Sequence, residues 1–168
     1  MNTYFPGALA YLGGAFKALL HPIERSLPVP SHARLTWSLL LLRLGVFIVM
    51  FMWTLDKFVN PDHALRIFEK FYGLEGFATA AVYIIALVEM VLILAFVAGM
   101  WKRFTYGFIL ILHGLSTFSS YSQYLDPFNH LLFFAAWPML AACVALYLLR
   151  DSDTRWTVRR KYASASER

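Results

Sequence analysis

Four long apolar segments, separated by short polar connections, dominate the chain. They run from about Leu35 to Phe58, from Phe77 to Met100, from Phe104 to Tyr121 and from Leu131 to Leu149. Each is close to the roughly 20 residues that a helix needs to cross about 30 Å of hydrocarbon. The pattern therefore predicts an all-α protein built on a four-transmembrane-helix bundle, with a kink at Pro138 in the fourth helix.

Two shorter apolar patterns flank the first crossing. Tyr4 to Leu20 is apolar but interrupted by proline, glycine and lysine, which favours an N-terminal interfacial helix over a further crossing. A proline-rich linker follows, so residues 1–34 form an interfacial segment and linker ahead of the membrane domain, residues 35–149. After the first crossing, Pro61 suits a helix start and apolar residues recur at helical spacing, which predicts a short amphipathic outer helix over Pro61–Tyr72.

The distribution of charge gives the membrane orientation. Only 15% of residues are charged and 60% are hydrophobic, whereas soluble domains average about 25% charged. Basic residues gather before the first crossing, between the second and third, and in a basic tail over residues 150–168. By the positive-inside rule both termini are cytoplasmic, in a multi-pass protein of the inner (plasma) membrane. Because these bases lie beside apolar segments, the expected partner is the lipid bilayer and not nucleic acid.

Three ionisable residues lie inside successive crossings: Arg43, Glu89 and His113. Counted from the cytoplasmic edge at 1.5 Å per residue, they lie about 13, 18 and 15 Å deep. A charge at bilayer depth is expensive unless it is paired. We therefore predict one buried polar layer, with an Arg43–Glu89 ion pair and His113 beside it.

A second polar group is expected at the outer mouth of the bundle. Its members are Asp56, Lys57, Tyr121, Gln123, Tyr124, Asp126 and His130. Serine and threonine residues on one face of the third helix could link this mouth to the buried layer. The pattern would then form a half-channel for protons or a slot for a quinone head group.

The candidate ligands limit the cofactors. His113 and His130 lie at different depths, which argues against haem held by two histidines, and no motif has the spacing of a zinc or di-iron site, so no metal is expected. The single cysteine, Cys143, is predicted to be a small core residue, which argues against a thiol–disulfide relay. No covalently bound cofactor is expected, and a quinone remains the candidate ligand.

Two crossings resemble the DoxX-like family of small four-helix membrane proteins. The first carries Arg43-Leu-Gly45 followed by Trp53-Thr-Leu-Asp-Lys57-Phe58, and the second carries Glu89 and then Gly99-Met-Trp-Lys-Arg103. The resemblance covers residues 35–149 in hydropathy and is specific at Arg43, Gly45, Lys57, Glu89 and Gly99. It implies a four-helix fold and association with membrane redox systems, including a subunit linked to thiosulfate:quinone oxidoreduction and partners of oxidative-stress enzymes.

The leading hypothesis is a DoxX-like membrane subunit of a quinone-linked or redox-protective system, working with a membrane or soluble redox partner protein. Arg43 and Glu89 would organise the core, while His113 and the outer mouth would bind quinone or relay protons. One alternative is a non-catalytic assembly partner whose polar layer is purely structural. The other is a small proton or solute carrier that uses the same layer.

Overall fold

The computed structural model describes residues 31–76 and 78–158, and these residues are helical with no strand among them. The predicted interfacial helix at Tyr4–Leu20 and the last ten residues of the basic tail lie outside the described residues. The helices are α1 (His32–Val59), α2 (Pro61–Tyr72), α3 (Thr79–Val97), α4 (Lys102–Ser119), α5 (Tyr121–Tyr124) and α6 (Ala136–Leu148), the last preceded by a 3-10 helix over Leu131–Ala135.

The short helix α2 has the bounds predicted from the sequence, Pro61–Tyr72. Pro61 occupies its first turn, where the missing N–H has no intrahelical acceptor to lose. At the other end Gly73 adopts a left-handed conformation, and its N–H and that of Leu74 donate to carbonyls of the last turn. Both ends of this helix are therefore determined by local sequence.

Side chains from four helices build one apolar core. The buried members are Leu39, Val46 and Met50 from α1, Ile93 and Phe96 from α3, Tyr106 and Ile109 from α4, and Cys143 and Leu146 from α6. The prediction that Cys143 is a small core residue is confirmed, because its side chain is buried in this cluster. The charged residues described below lie between elements that share this core.

Within residues 31–76 and 78–158, three helical segments are long and apolar enough to cross a membrane: His32–Val59, Thr79–Val97 and Leu131–Leu148. The chain therefore has the character of a membrane protein. Helix α4, which carries two basic residues in its first turn and His113 farther on, is not among them. Where a kink was predicted at Pro138, the last segment changes from 3-10 to α-helix at Ala136, two residues earlier.

The first part of the basic tail is folded. Residues 150–158, called here the C-terminal segment, return to the α3–α4 end of the bundle, where the Val158 N–H donates to the Ala98 carbonyl at 2.9 Å. Asp153 in this segment is fully buried. This part of the basic tail therefore belongs to the fold, because its Arg155 and Trp156 carbonyls accept hydrogen bonds from Arg43, a charge inside the bundle. The Trp156 and Val158 side chains remain exposed.

Candidate functional site

A buried arginine, tyrosine and aspartate form the first polar centre. The side chains of Arg43 and Asp153 have 0% exposure, and Arg43 Nη1 lies 3.3 Å from Asp153 Oδ2. The Tyr106 hydroxyl accepts a hydrogen bond from Arg43 Nη1 at 3.3 Å and donates to Asp153 Oδ2 at 2.6 Å. We call Arg43, Tyr106 and Asp153 the inner centre. It is an ion pair with a phenol bridging its two charges.

The same arginine also holds the backbone of the C-terminal segment. Arg43 Nη2 donates to the Arg155 carbonyl at 2.5 Å and lies 3.4 Å from the Trp156 carbonyl. Lys102 at the start of α4 donates to the Asp153 carbonyl. One buried charge in α1 therefore binds a segment more than a hundred residues away in the chain.

Gly99 allows the close approach of these parts. It has a φ of +64°, and a Cβ added there would lie 2.5 Å from Thr157 Cγ2 and 2.8 Å from Arg43 Nη1. Non-glycine side chains rarely adopt this φ and could not fit this space. The turn between α3 and α4 thus requires glycine because the C-terminal segment packs directly against its backbone.

A lysine, a glutamate and a threonine form the second polar centre, nearer the other end of α1. Lys57 Nζ lies 2.9 Å from Glu89 Oε2, and the Thr54 hydroxyl donates to the same oxygen at 3.2 Å. The lysine side chain is 14% exposed and the glutamate side chain 9%. We call Thr54, Lys57 and Glu89 the outer centre, which is slightly more open than the inner centre.

The predicted Arg43–Glu89 ion pair is wrong. Arg43 pairs with Asp153, and Glu89 pairs with Lys57. The Arg43 side chain lies beside the turn that follows α3, because a Cβ on Gly99 would be 2.8 Å from Arg43 Nη1. The depths of Arg43 and Glu89 were therefore counted from edges that do not lie at one level. At the level of Arg43 and Tyr106, α3 instead presents Phe96, whose ring centroid lies 4.8 Å from that of Tyr106.

His113 belongs to neither centre. Its Nε2 lies 3.1 Å from the Ala136 carbonyl and 3.4 Å from the Thr117 hydroxyl, which itself donates to the His113 carbonyl. These contacts tie α4 to the start of α6. The predicted three-residue layer is therefore divided into two ion pairs and a separate histidine.

The residues predicted for the outer mouth fall into several local sets, not one cluster. Asp56 accepts a hydrogen bond from Asn60 and lies 2.6 Å from His63 Nδ1, while Lys57 turns inward to Glu89. The remaining members have the following surroundings: Tyr121 is exposed, Gln123 is buried, Tyr124 donates to the Thr117 carbonyl, Asp126 accepts from Asn129, and His130 packs edge-on against Phe133. Only Lys57 of this group joins a buried charge.

Burial raises the pKa of the Tyr124 phenol above its usual value, so the hydroxyl remains a donor near neutral pH. Its hydrogen bond to Thr117 connects α5 with α4. The carbonyl oxygen of the neighbouring Gln123 side chain is buried and has no hydrogen-bond partner among the described residues. This part of the predicted mouth is therefore packed against the bundle.

An apolar layer lies between the two centres. Val46 and Met50 occupy the turns of α1 between Arg43 and Thr54, and Ile93 occupies the turn of α3 between Glu89 and Phe96. All three are buried in the shared core. Because apolar side chains cannot relay protons, the centres are chemically separate along this route.

Sequence reasoning did not name three members of the two centres as site residues: Asp153, Tyr106 and Thr54. Gly99 was named only as a position of the family resemblance. Asp153 lies four residues after the end of the last apolar segment. An acidic residue this close to the end of the bundle that holds Arg43 is a signal that could have indicated the pairing. Among the described residues, no group of three histidine, cysteine, aspartate or glutamate side chains is placed to hold a metal ion.

Comparison of the chain with family models, curated proteins and solved structures finds no match.

Proposed function

We propose that this chain is a DoxX-like membrane subunit of a quinone-linked redox system, and that its outer centre receives the quinone head group. Support comes from the way Glu89 is held. Both of its hydrogen-bond donors, Lys57 and Thr54, contact Oε2, and Oε1 accepts no hydrogen bond from the part of the chain that the structure describes. One carboxylate oxygen thus remains for a ligand.

The chemistry of this centre suits both redox forms of a quinone. The Lys57 ammonium has three N–H donors, of which one faces Glu89, so others can donate to a quinone carbonyl. Glu89 Oε1 can accept from the hydroxyl of the reduced quinol. Phe58, which follows Lys57 in the sequence, stacks on Tyr83 with ring centroids 6.4 Å apart, and this pair would provide an aromatic wall for a flat ring.

We also propose how the helices are arranged in the membrane. Helix α4 would cross the membrane with the three more apolar segments, completing a four-helix transmembrane bundle in the inner (plasma) membrane. Basic residues Lys102 and Arg103 would lie on the cytoplasmic side with both termini. Helix α2 and the outer centre would then face the opposite side, and a redox partner protein would complete the electron path.

Replacing Glu89 with glutamine is expected to weaken binding of a short-chain quinol by about tenfold or more, because the quinol hydroxyl would lose its charge-assisted hydrogen bond to Oε1, and such a bond contributes about 1.5–3 kcal/mol. The measurement is titration of the purified protein in detergent with the quinol under reducing conditions, with the melting temperature recorded in parallel. The matched control is Glu69→Gln, an exposed glutamate on α2, which should leave binding unchanged. The quinone site would be refuted if the unaltered protein bound no quinol. It would also be refuted if Glu89→Gln and Glu69→Gln bound the quinol equally well.

A second candidate function is that of a non-catalytic assembly subunit. The observation that favours it is the inner centre, where an ion pair with no exposure fixes the C-terminal segment without leaving an opening. In that case Glu89→Gln would lower the melting temperature and the yield of the partner complex. The unaltered protein itself would bind no quinone. The alternative of a proton or solute carrier has less support than the assembly subunit, because the apolar layer of Val46, Met50 and Ile93 separates the two centres.

Proton flux measured in liposomes that contain the purified protein would test the carrier alternative.

A further inference from the structure

Arg155 in the C-terminal segment has an unusually constrained side chain. Its Cζ lies 4.2 Å from the centre of the Trp37 ring, and its Nε donates to the Thr36 hydroxyl at 3.1 Å. Both contacts are to the first turns of α1. The guanidinium plane is therefore held by a cation–π contact and a hydrogen bond at the same time.

The backbone of the same residue is fixed from inside the bundle. The Arg155 carbonyl accepts from Nη2 of the fully buried Arg43 at 2.5 Å. An arginine side chain usually loses considerable rotamer freedom when it binds a ligand. Here much of that ordering is already present in the protein, so the guanidinium is preorganised.

The two terminal nitrogens of Arg155 remain for a ligand. Only its Nε donates a hydrogen bond to the described residues, and neither terminal nitrogen belongs to the buried polar atoms that lack a partner. The neighbouring Trp156 is 72% exposed, and its ring meets Trp37, itself 45% exposed, edge-on at 6.3 Å. The guanidinium edge thus lies beside two exposed indoles.

These residues lie at the end of the apolar segments. Thr36 and Trp37 belong to the first turns of α1, which is long and apolar enough to cross a membrane, and the C-terminal segment follows another such helix. Trp101, in the connection at this same end, is also largely exposed. Tryptophans concentrate where lipid tails meet head groups. Lipid phosphates occupy that level.

We propose that Arg155, flanked by Trp37 and Trp156, binds the phosphate of an anionic phospholipid head group. The planar guanidinium presents parallel N–H donors that match two phosphate oxygens, and the indoles contact the glycerol region and upper acyl chains. Lys102 adds positive charge at this end of the bundle, which favours an anionic over a zwitterionic lipid. The site would anchor the C-terminal segment to the membrane surface.

The test uses the full chain in a neutral detergent. Phosphatidylglycerol is titrated while bound lipid is counted by native mass spectrometry and the melting temperature is followed. The unaltered protein should retain phosphatidylglycerol and melt at a higher temperature with it, and phosphatidylcholine should bind more weakly. Arg155→Gln should reduce phosphatidylglycerol affinity about tenfold, because it removes charge-assisted hydrogen bonds.

Three comparisons test whether the change in lipid affinity is specific to the Arg155 guanidinium and to a lipid phosphate. Arg103→Gln removes an equal charge from an exposed residue at the same end and should change the affinity less than about threefold, in line with the weak effect of a single exposed charge. Arg155→Lys keeps the charge but loses the planar fork, so its affinity should fall between those of the unaltered protein and Arg155→Gln. Equal binding by Arg155→Gln and the unaltered protein would overturn the proposal. So would an Arg155-dependent melting shift produced in full by inorganic phosphate, which would identify a site for soluble anions.

Discussion

Replacing Arg43 with glutamine is expected to lower the free energy of unfolding by about 3–5 kcal/mol, the usual effect of removing one partner of a buried ion pair. Asp153 would keep its charge at 0% exposure with only Tyr106 as a donor to Oδ2. The segment carbonyls that Arg43 holds would also lose their donor. Denaturant titration in detergent measures the loss, and limited proteolysis should show cleavage within residues 150–158.

The double variant Arg43→Met with Asp153→Leu tests the origin of the instability expected for Arg43→Gln. It distinguishes the effect of an unpaired Asp153 charge from the effect of lost packing. Replacing both members of a buried pair by apolar residues is often neutral or stabilising, so this variant should unfold at a higher denaturant concentration than Arg43→Gln alone. Arg103→Gln, at an exposed position on α4, is the control for loss of a positive charge and should have little effect. A protein with Arg43→Gln that unfolds like the unaltered chain would show that the inner centre contributes little to stability.

Substituting alanine for Gly99 is expected to destabilise the protein by roughly 2–4 kcal/mol, combining a left-handed backbone with overpacking. The added Cβ would lie 2.5 Å from Thr157 Cγ2 and 2.8 Å from Arg43 Nη1. Either the C-terminal segment or the arginine must move. The measurement is again unfolding in detergent, together with protease sensitivity of the C-terminal segment.

Gly45 provides the matched control on the neighbouring helix. A Cβ added there would meet nothing within 4 Å, and its φ is not left-handed. Gly45→Ala should therefore stabilise α1 by about 0.5–1 kcal/mol. If both alanine variants changed stability alike, the close approach of Thr157 to Gly99 would not be a feature of the protein in solution.

The helices could be predicted because their signals are local. A run of apolar residues near 20 in length, or a proline start with a glycine end in α2, depends on neighbouring residues only. The burial of Arg43 and Glu89 followed from their position within such runs, and the structure confirms it. Such patterns identify the helix to which each residue belongs and its approximate position along that helix.

The pairing of the charges could not be predicted in the same way. Depth along a helix does not specify which neighbour a side chain faces, and the ends of neighbouring helices need not lie at one level. The Arg43 side chain lies beside Gly99, just after the end of α3, whereas Glu89 lies two turns before that end. Lys57 is long enough to reach inward from the end of α1, so a residue assigned to the mouth became the partner of Glu89. Asp153 lay outside every apolar segment, and its return to the bundle depends on Arg43, a distant residue.

The Arg43–Arg155 hydrogen bond spans 112 residues, and this has a consequence for synthesis. At ribosomal rates of about 5–20 residues per second, the carbonyl that Arg43 binds emerges roughly 6–22 s after Arg43 itself. During that interval the first helix carries a charge whose insertion at mid-helix costs on the order of 2.5–3.5 kcal/mol. Of the described helices, α1 is therefore synthesised first and acquires its hydrogen-bond partners last. Chains released before residue 153 contain a buried arginine without its counter-ion.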